Sequence, residues 1–421
     1  MGKQPRALPS ASLGAIHRIK KTAAKPAFTK ILEGLPMEMR VISADSHMME
    51  PADLWETRLD NKFRDQAPKV VKSESGKGYL FIAPGVRPFP VAGGFGIGKS
   101  GEELKEHLKK GYEAARPSGW DPAERIKDQD IDGVQAEVIY TTLGMPLFGL
   151  DDDELRRACF AVYNDWVGEF RSYSPKRLHP VALISLDDIP LAVKELERCA
   201  KLGLKGAMIW GVPPDDKPYY SDVYDPFWAA AQEMKVPLSL HVITQRNQRG
   251  RNRDQNRDQA EESNQVLLGG IRMLIGTMQP VYQVQRTLSS FIFGKVFERF
   301  PALRIVSAEN DTGWIAHFMY RSDHMYEKFG TMREDTRLQM KPSDYVRRNI
   351  WATFQDDAIG PMTYRFFGAD NYMWASDFPH TDSTWPNSRK VIKQDFEGVP
   401  EAVTRKIVCD NAAKLYTIEL N

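Results

Sequence analysis

The sequence predicts an α/β protein built on a parallel barrel of eight strand–helix units, a (β/α)8 TIM-like fold, and three observations carry that expectation. Short apolar runs of strand length alternate with helix-length amphipathic stretches, and alternating βα units imply a parallel sheet. Eight such runs can be counted, the number that closes a barrel. The chain has 421 residues, more than the about 250 a barrel needs, and the surplus falls in three irregular stretches. These are an N-terminal arm over residues 1–40, an insertion at about 60–119 after the first strand, and a long polar loop at about 244–280 after the fifth. The barrel itself is expected over 41–421. A doubly wound open sheet is the competing arrangement of the same units.

The arm is basic, with Lys3, Arg6, Arg18, Lys20, Lys21, Lys25 and Lys30 preceding the first acid, Glu33. A basic, acid-poor start can be a transit peptide, but it lacks the apolar core of a secretion signal and a clear cleavage site, so it reads as an extension that wraps a neighbouring subunit or is partly mobile. Val41 to Ala44 forms the first strand and ends in Asp45 and His47. Side chains at i and i+2 of an extended chain point the same way, making a two-pronged chelate; an Asp-Ser-His run is equally a polar turn capping the next helix. In the insertion, 78–85 and 89–91 read as a small hairpin. Gly94-Phe95-Gly96 leads to Lys99 rather than a third glycine and opens no βαβ unit, which excludes a dinucleotide loop. Asp121-Pro122-Ala123-Glu124 starts a helix with acceptor, N1 proline and acidic first turn in order. Strands are then expected at 136–140, 181–186, 206–210, 238–243, 304–309, 350–354 and 372–377. Helices are expected at 151–173, 190–201, 226–235, 284–300, 313–328 and around 358–367. The polar stretch after Ile243 interleaves its arginines with acids rather than aromatics, which argues against nucleic acid and for a surface loop, a lid or an oligomer contact.

Composition bounds the function. A hydrophobic share of 42% and a formal net charge of +1 fit a large core and no polyanionic partner. No run approaches a membrane span. Cys159, Cys199 and Cys409 lie far apart without a CxxC pair, so they read as buried thiols of a reducing compartment, the cytoplasm. The expected partners are a small-molecule substrate and further copies of the chain or a related subunit.

Reactive groups of such a barrel project from the carboxyl ends of its strands. Those ends carry Asp45 and His47, Tyr140, Trp210, His241, Glu309, Phe354 and Asp377. Buried alone, the carboxylate of Asp377 or the imidazole of His241 would be costly or merely structural. A divalent cation removes that cost for the whole set, and mixed carboxylate and imidazole donors suit Zn, Mn or Fe. One divalent ion facing Asp45, Glu309 and Asp377 leaves one excess negative charge, which either a proton on one carboxylate or a second ion would cancel.

The quoted ends, with Gly203-Leu204-Lys205-Gly206, Pro237-Leu238-Ser239-Leu240-His241, Phe300-Pro301-Ala302-Leu303-Arg304-Ile305-Val306 and Trp374-Ala375-Ser376-Asp377-Phe378-Pro379-His380, resemble the amidohydrolase-related metal-dependent barrels that include the aminocarboxymuconate semialdehyde and resorcylate decarboxylases. The resemblance implies a metal held by Asp45, His47, His241 and Asp377. It also implies an acid–base histidine after the sixth strand, where this chain has Glu309. Arg321-Ser322-Asp323-His324 is similar to an Arg-x-Asp-His stretch whose arginine lies near substrate. His324 itself falls about 15 Å along a helix starting near Trp314, a placement that disfavours the metal unless the helix starts late.

The expected activity is a hydrolase or decarboxylase acting on a small organic acid or aromatic compound. Asp377 would move the proton with His380 as helper, and Glu309 would be ligand or base. Arg321 would pair with the substrate carboxylate, and Tyr140, Trp210, Phe354 and Trp385 would wall the pocket. Two other readings share the residues: a dinuclear Fe or Mn oxygenase with Glu309 and His324 on a second ion, and a non-catalytic partner of an active relative.

Overall fold

The computed structural model describes residues 39–74, 78–245 and 262–419, with side chains from 274 onward in the last stretch. The arm, except for its last two residues, and the segment 246–261 lie outside the described residues.

Strand β1 is Ile42–His47. The insertion that follows folds as a small antiparallel sheet of β2 (Lys69–Lys72), β3 (Tyr79–Ile82) and β4 (Phe89–Pro90), one strand more than the expected hairpin. The helix Pro122–Asp132 begins as its sequence dictates: the Asp121 carboxylate accepts from the backbone N–H of Ala123 and Glu124, at 2.8 and 3.2 Å. It ends where Gly133 turns left-handed at φ 72°.

Parallel strands then follow in chain order. They are β5 (Ala136–Tyr140), β6 (Leu178–Pro180) resuming as β7 (Ala182–Leu183), β8 (Ala207–Ile209), β9 (Leu238–His241), β10 (Ile305–Ala308), β11 (Ile350–Phe354) and β12 (Tyr372–Trp374). β1 pairs with β5 and β5 with β6; β7 through β12 pair successively, all in parallel. The third strand starts at Leu178, before the expected 181, and is divided after Pro180, which has no N–H to give. Val181 N–H then bonds Ile139 O and Ala182 N–H bonds Gly206 O, each at about 3 Å. First and last strands are tied beyond their ends, Asp377 N–H to Asp45 O at 2.9 Å and His47 N–H to Phe378 O at 2.6 Å.

β9, β10 and β12 stop short of their expected ends, and the last residue expected in each turns left-handed. Ile243, Glu309 and Asp377 have φ of 67°, 55° and 53°, which no extended chain can hold. The larger difference is the helix Glu262–Phe293, which starts 22 residues before the expected 284, inside what reads as loop. Gly269, Gly270, Gly276 and Pro280 look like breakers in sequence, and the helix runs through them all.

Outside the ends of β1 and β5 lies a buried ion pair. Arg125 Nε donates to Glu137 Oε2 at 2.6 Å, its other nitrogens to His47 O and Phe378 O, and Ser46 Oγ donates to Glu137 Oε1. This one guanidinium therefore ties together the two strand ends that carry His47 and Asp377.

Candidate metal centre

The carboxyl ends of β1 and β9 and the turns after β10 and β12 bring five donor side chains together in two overlapping groups, Asp45, His47 and His241 in one and His47, Glu309 and Asp377 with His380 in the other. Asp45 Oδ1 lies 3.5 Å from His47 Nε2 and 3.7 Å from His241 Nε2. Glu309 Oε2 lies 3.5 Å from His47 Nε2 and 3.2 Å from His241 Nε2, and Asp377 Oδ1 lies 3.4 Å from His47 Nε2. Each of these atoms is buried and has no hydrogen-bond partner, an expensive state for so many polar atoms unless something else satisfies them. Donors bound to a common ion at about 2.1 Å stand roughly 3.0–3.4 Å apart. The residues present therefore fit a divalent cation.

The surroundings prepare these donors. His47 Nδ1–H donates to Thr141 O at 2.8 Å, which leaves the Nε2 lone pair facing inward; His241 Nδ1 does the same toward Val242 O at 3.2 Å. Thr353 on β11 serves two donors with one hydroxyl, donating to Asp45 Oδ2 and accepting from Glu309 N–H, both at 2.9 Å. Glu50 is buried and receives the Thr141 hydroxyl and the N–H of Thr142 and Leu143, pinning the turn that holds both Thr141 and Thr142. The left-handed backbone of Glu309 and Asp377 is local strain of the kind that concentrates at working sites.

His380 stacks on His47 with ring centroids 3.9 Å apart and places Nδ1 3.0 Å from Asp377 Oδ1. The Thr142 hydroxyl donates to Met48 O at 2.5 Å, so toward His380 Nε2, at 2.9 Å, it accepts. Nε2 therefore carries a proton, and Nδ1 faces Asp377 Oδ1 at the edge of the donor set. Without a cation the centre holds protons. Burial, with Asp377 and Asp45 nearby, pushes Glu309 up to about 8. Burial and Asp45 push Asp377 well above the carboxylate range. Burial opposes the charged form of His241, but Asp45 and Glu309 outweigh it and hold the ring at about 9. Burial lowers His47 and His380.

Of the other expected site residues, only Tyr140 touches the donors, its ring 5.1 Å from that of His241 and 6.0 Å from that of His47. His324 is on the helix Ile315–Met325, beside Tyr320, and joins neither group of close donors among the described residues. Nine residues beyond Ile315, it is roughly 13 Å along that helix. Arg321 is exposed on the same helix, and Asp323 caps the next one through Ser343 N–H and Oγ. Tyr140 lies beneath the donors, its hydroxyl bonded to Ser239 and Tyr416. Trp210 donates to Phe148 O, Phe354 packs against Tyr372 and Phe396, and Trp385 donates to Asp128 O under the Arg116 guanidinium. None of these four aromatics lines the cavity that opens beside His241. That cavity, of about 350 Å³, is bordered by Arg87 from the insertion, Gln245, Gln279, Gln283 and Asn310.

Parallel strands with donors converging at their carboxyl ends define the class: an α/β scaffold with a candidate divalent-metal centre. The chain belongs to the amidohydrolase family, whose model matches residues 65–418. It is 27% identical over 271 residues to gamma-resorcylate decarboxylase of Polaromonas sp. (strain JS666), an alignment covering 61% of this chain and 75% of that protein. An amidohydrolase structure from Mycobacterium avium subsp. paratuberculosis superposes with a TM-score of 0.68 at 21% identity, over 91% of this chain and 99% of that one. Dihydroxybenzoic acid decarboxylase of Polaromonas sp. JS666, solved with manganese and 2-nitroresorcinol, gives a TM-score of 0.58 at 19% identity, over 90% and 97%. No helix among the described residues is long and apolar enough to cross a membrane.

Proposed function

We propose that this chain is a decarboxylase of a small organic acid, aromatic or otherwise oxygen-bearing, with one divalent metal ion on a closed (β/α)8 barrel. The observation that carries the reading is the set of five orphaned donors, with the His380 ring set against two of them, His47 and Asp377. Three carboxylates against one divalent ion leave one excess negative charge, and a proton on Asp377 or His380 would cancel it without a second ion. Manganese in a neighbouring decarboxylase is in keeping with this donor set.

When bound, the metal supplies a Lewis acid for a substrate oxygen. Asp45, His47, His241, Glu309 and Asp377 would hold it. The cavity beside His241 suits a small molecule, and Arg87 gives it a cation for a substrate carboxylate. The bond from the carboxyl carbon breaks, its electron pair stays on the substrate carbon, and carbon dioxide leaves. That carbon takes a proton delivered by Asp377 or His380. His380, 12% exposed, is the member of the pair that regains a proton from solvent.

Glu309 favours one second reading. It is a carboxylate, 24% exposed, where the resemblance implied histidine, and a carboxylate at the metal's edge can serve a hydrolase as base. The dinuclear oxygenase loses its second-ion ligand with His324. Carbon dioxide release from a panel of hydroxybenzoates and aliphatic hydroxy acids, run beside ester and lactone hydrolysis, separates the two. Hydrolysis without carbon dioxide release from any acid contradicts the decarboxylase.

A further inference from the structure

Between Leu274 and Gln283 the helix Glu262–Phe293 turns polar and small groups toward the cavity and leaves apolar ones outside, whereas past that stretch it buries Val284, Leu288, Phe291 and Ile292. Gly276, Gln279, Pro280 and Gln283 border the cavity beside His241. At about 100° per residue, Leu274, Ile275, Met278 and Tyr282 share a neighbouring face within roughly 100° of arc. Those four are 64%, 58%, 59% and 68% exposed. A surface helix ordinarily buries its apolar stripe and shows its polar one. This stripe offers roughly 450 Å² of apolar surface, more than half of the about 800 Å² each partner contributes to a standard interface. Phe293, on the same line of the helix, and Tyr220, against Gly294, extend the exposed apolar surface toward the helix end.

We propose that this stripe is the seam between two copies of this chain, their helices antiparallel about a two-fold axis near Met278. A two-fold contact needs a surface complementary to itself, and an uninterrupted apolar stripe is one. About that axis Leu274 of one copy lies beside Tyr282 of the other, and Met278 meets its own counterpart. No charge stands in the stripe. Arg286, one turn past Tyr282, is directed to Asp215 of its own chain at 3.8 Å. The preceding segment 246–261 contains a single hydrophobic residue, Ala260, and so has nothing to cover such a face. Pairing would hold Gln279 and Gln283 in place over the cavity.

The test is Met278→Cys in the full-length protein, treated in dilute solution with a short bifunctional thiol reagent. Cys159, Cys199 and Cys409 are buried, so background reaction is low. The seam predicts a covalent dimer on a denaturing gel, absent from Ile131→Cys, whose exposed site lies on another helix. A Met278→Cys protein that takes a monofunctional maleimide to completion but never crosslinks overturns the proposal. So does an introduced thiol that is inert in the full chain and reactive once residues 1–38 are deleted, because the N-terminal segment would then be the occupant.

Discussion

Thr353→Val removes one hydroxyl and keeps the shape of the side chain, and the hydroxyl it removes serves two of the five proposed metal donors. Asp45 Oδ2 loses the donor 2.9 Å away, and Glu309 N–H loses its acceptor at the same distance. A hydrogen bond to a charged carboxylate contributes about 1.5–3 kcal/mol. The stranded Glu309 N–H adds a cost of the same order, part of which falls equally on metal-free and metal-bound protein and cancels. Outer partners of metal ligands typically change affinity by about 10–100-fold, or roughly 1.4–2.8 kcal/mol. Competition with a chelator of known affinity should therefore show metal binding weakened by about that factor, while Thr353→Ser retains most of it. Unchanged affinity in the valine variant would refute the reasoning, since Asp45 and Glu309 would then need no help from β11.

Other outcomes follow from the same geometry. Arg125→Met leaves the buried Glu137 charge without its counter-ion, with only Ser46 and Gln129 still donating to it, so denaturant unfolding should show a loss of about 3–5 kcal/mol; a loss under about 1 kcal/mol would mark the pair as dispensable. His380→Gln leaves the five donors intact, so metal content should hold while turnover falls by about 10²–10⁴, and normal turnover would remove His380 from proton transfer. Metal binding must expel the protons that the metal-free centre holds, with Glu309 raised to about 8 and His241 to about 9. Both pKa values are raised, so protons occupy these groups near neutrality and leave as pH rises. Apparent metal affinity should thus climb with pH and level off above about 9. Calorimetry in buffers of different ionisation enthalpy checks this, and heats independent of buffer would contradict it.

Much of this was legible in the chain because chemistry and periodicity coincide there. Asp45 and His47 sit two residues apart on an apolar strand, and His241, Glu309 and Asp377 end apolar runs, so both strand and donors could be read locally. Thr353 could not: it is an ordinary β-branched residue of a strand, and its role depends on Asp45, 308 positions away in sequence. Thr141, Thr142 and Glu50 act in the same way, through turns that only the folded strands bring together. The aromatic wall misled for a different reason. Strands of a parallel sheet are buried on both faces, so nothing in Tyr140, Trp210 or Phe354 reveals which way its ring points. Phe354 faces Tyr372 and Phe396, away from the cavity beside His241. Arg87 and Gln283 were missed because an insertion and a long helix reach the cavity from far along the chain.

A single ion held by five donors, Glu309 among them, can be counted by elemental analysis of the purified protein and of Glu309→Gln. About one equivalent of manganese, zinc or iron per chain is expected, with a clear loss of it in the variant, where a charged donor becomes a neutral amide. Two equivalents in the native protein, or full retention in Glu309→Gln, would contradict it.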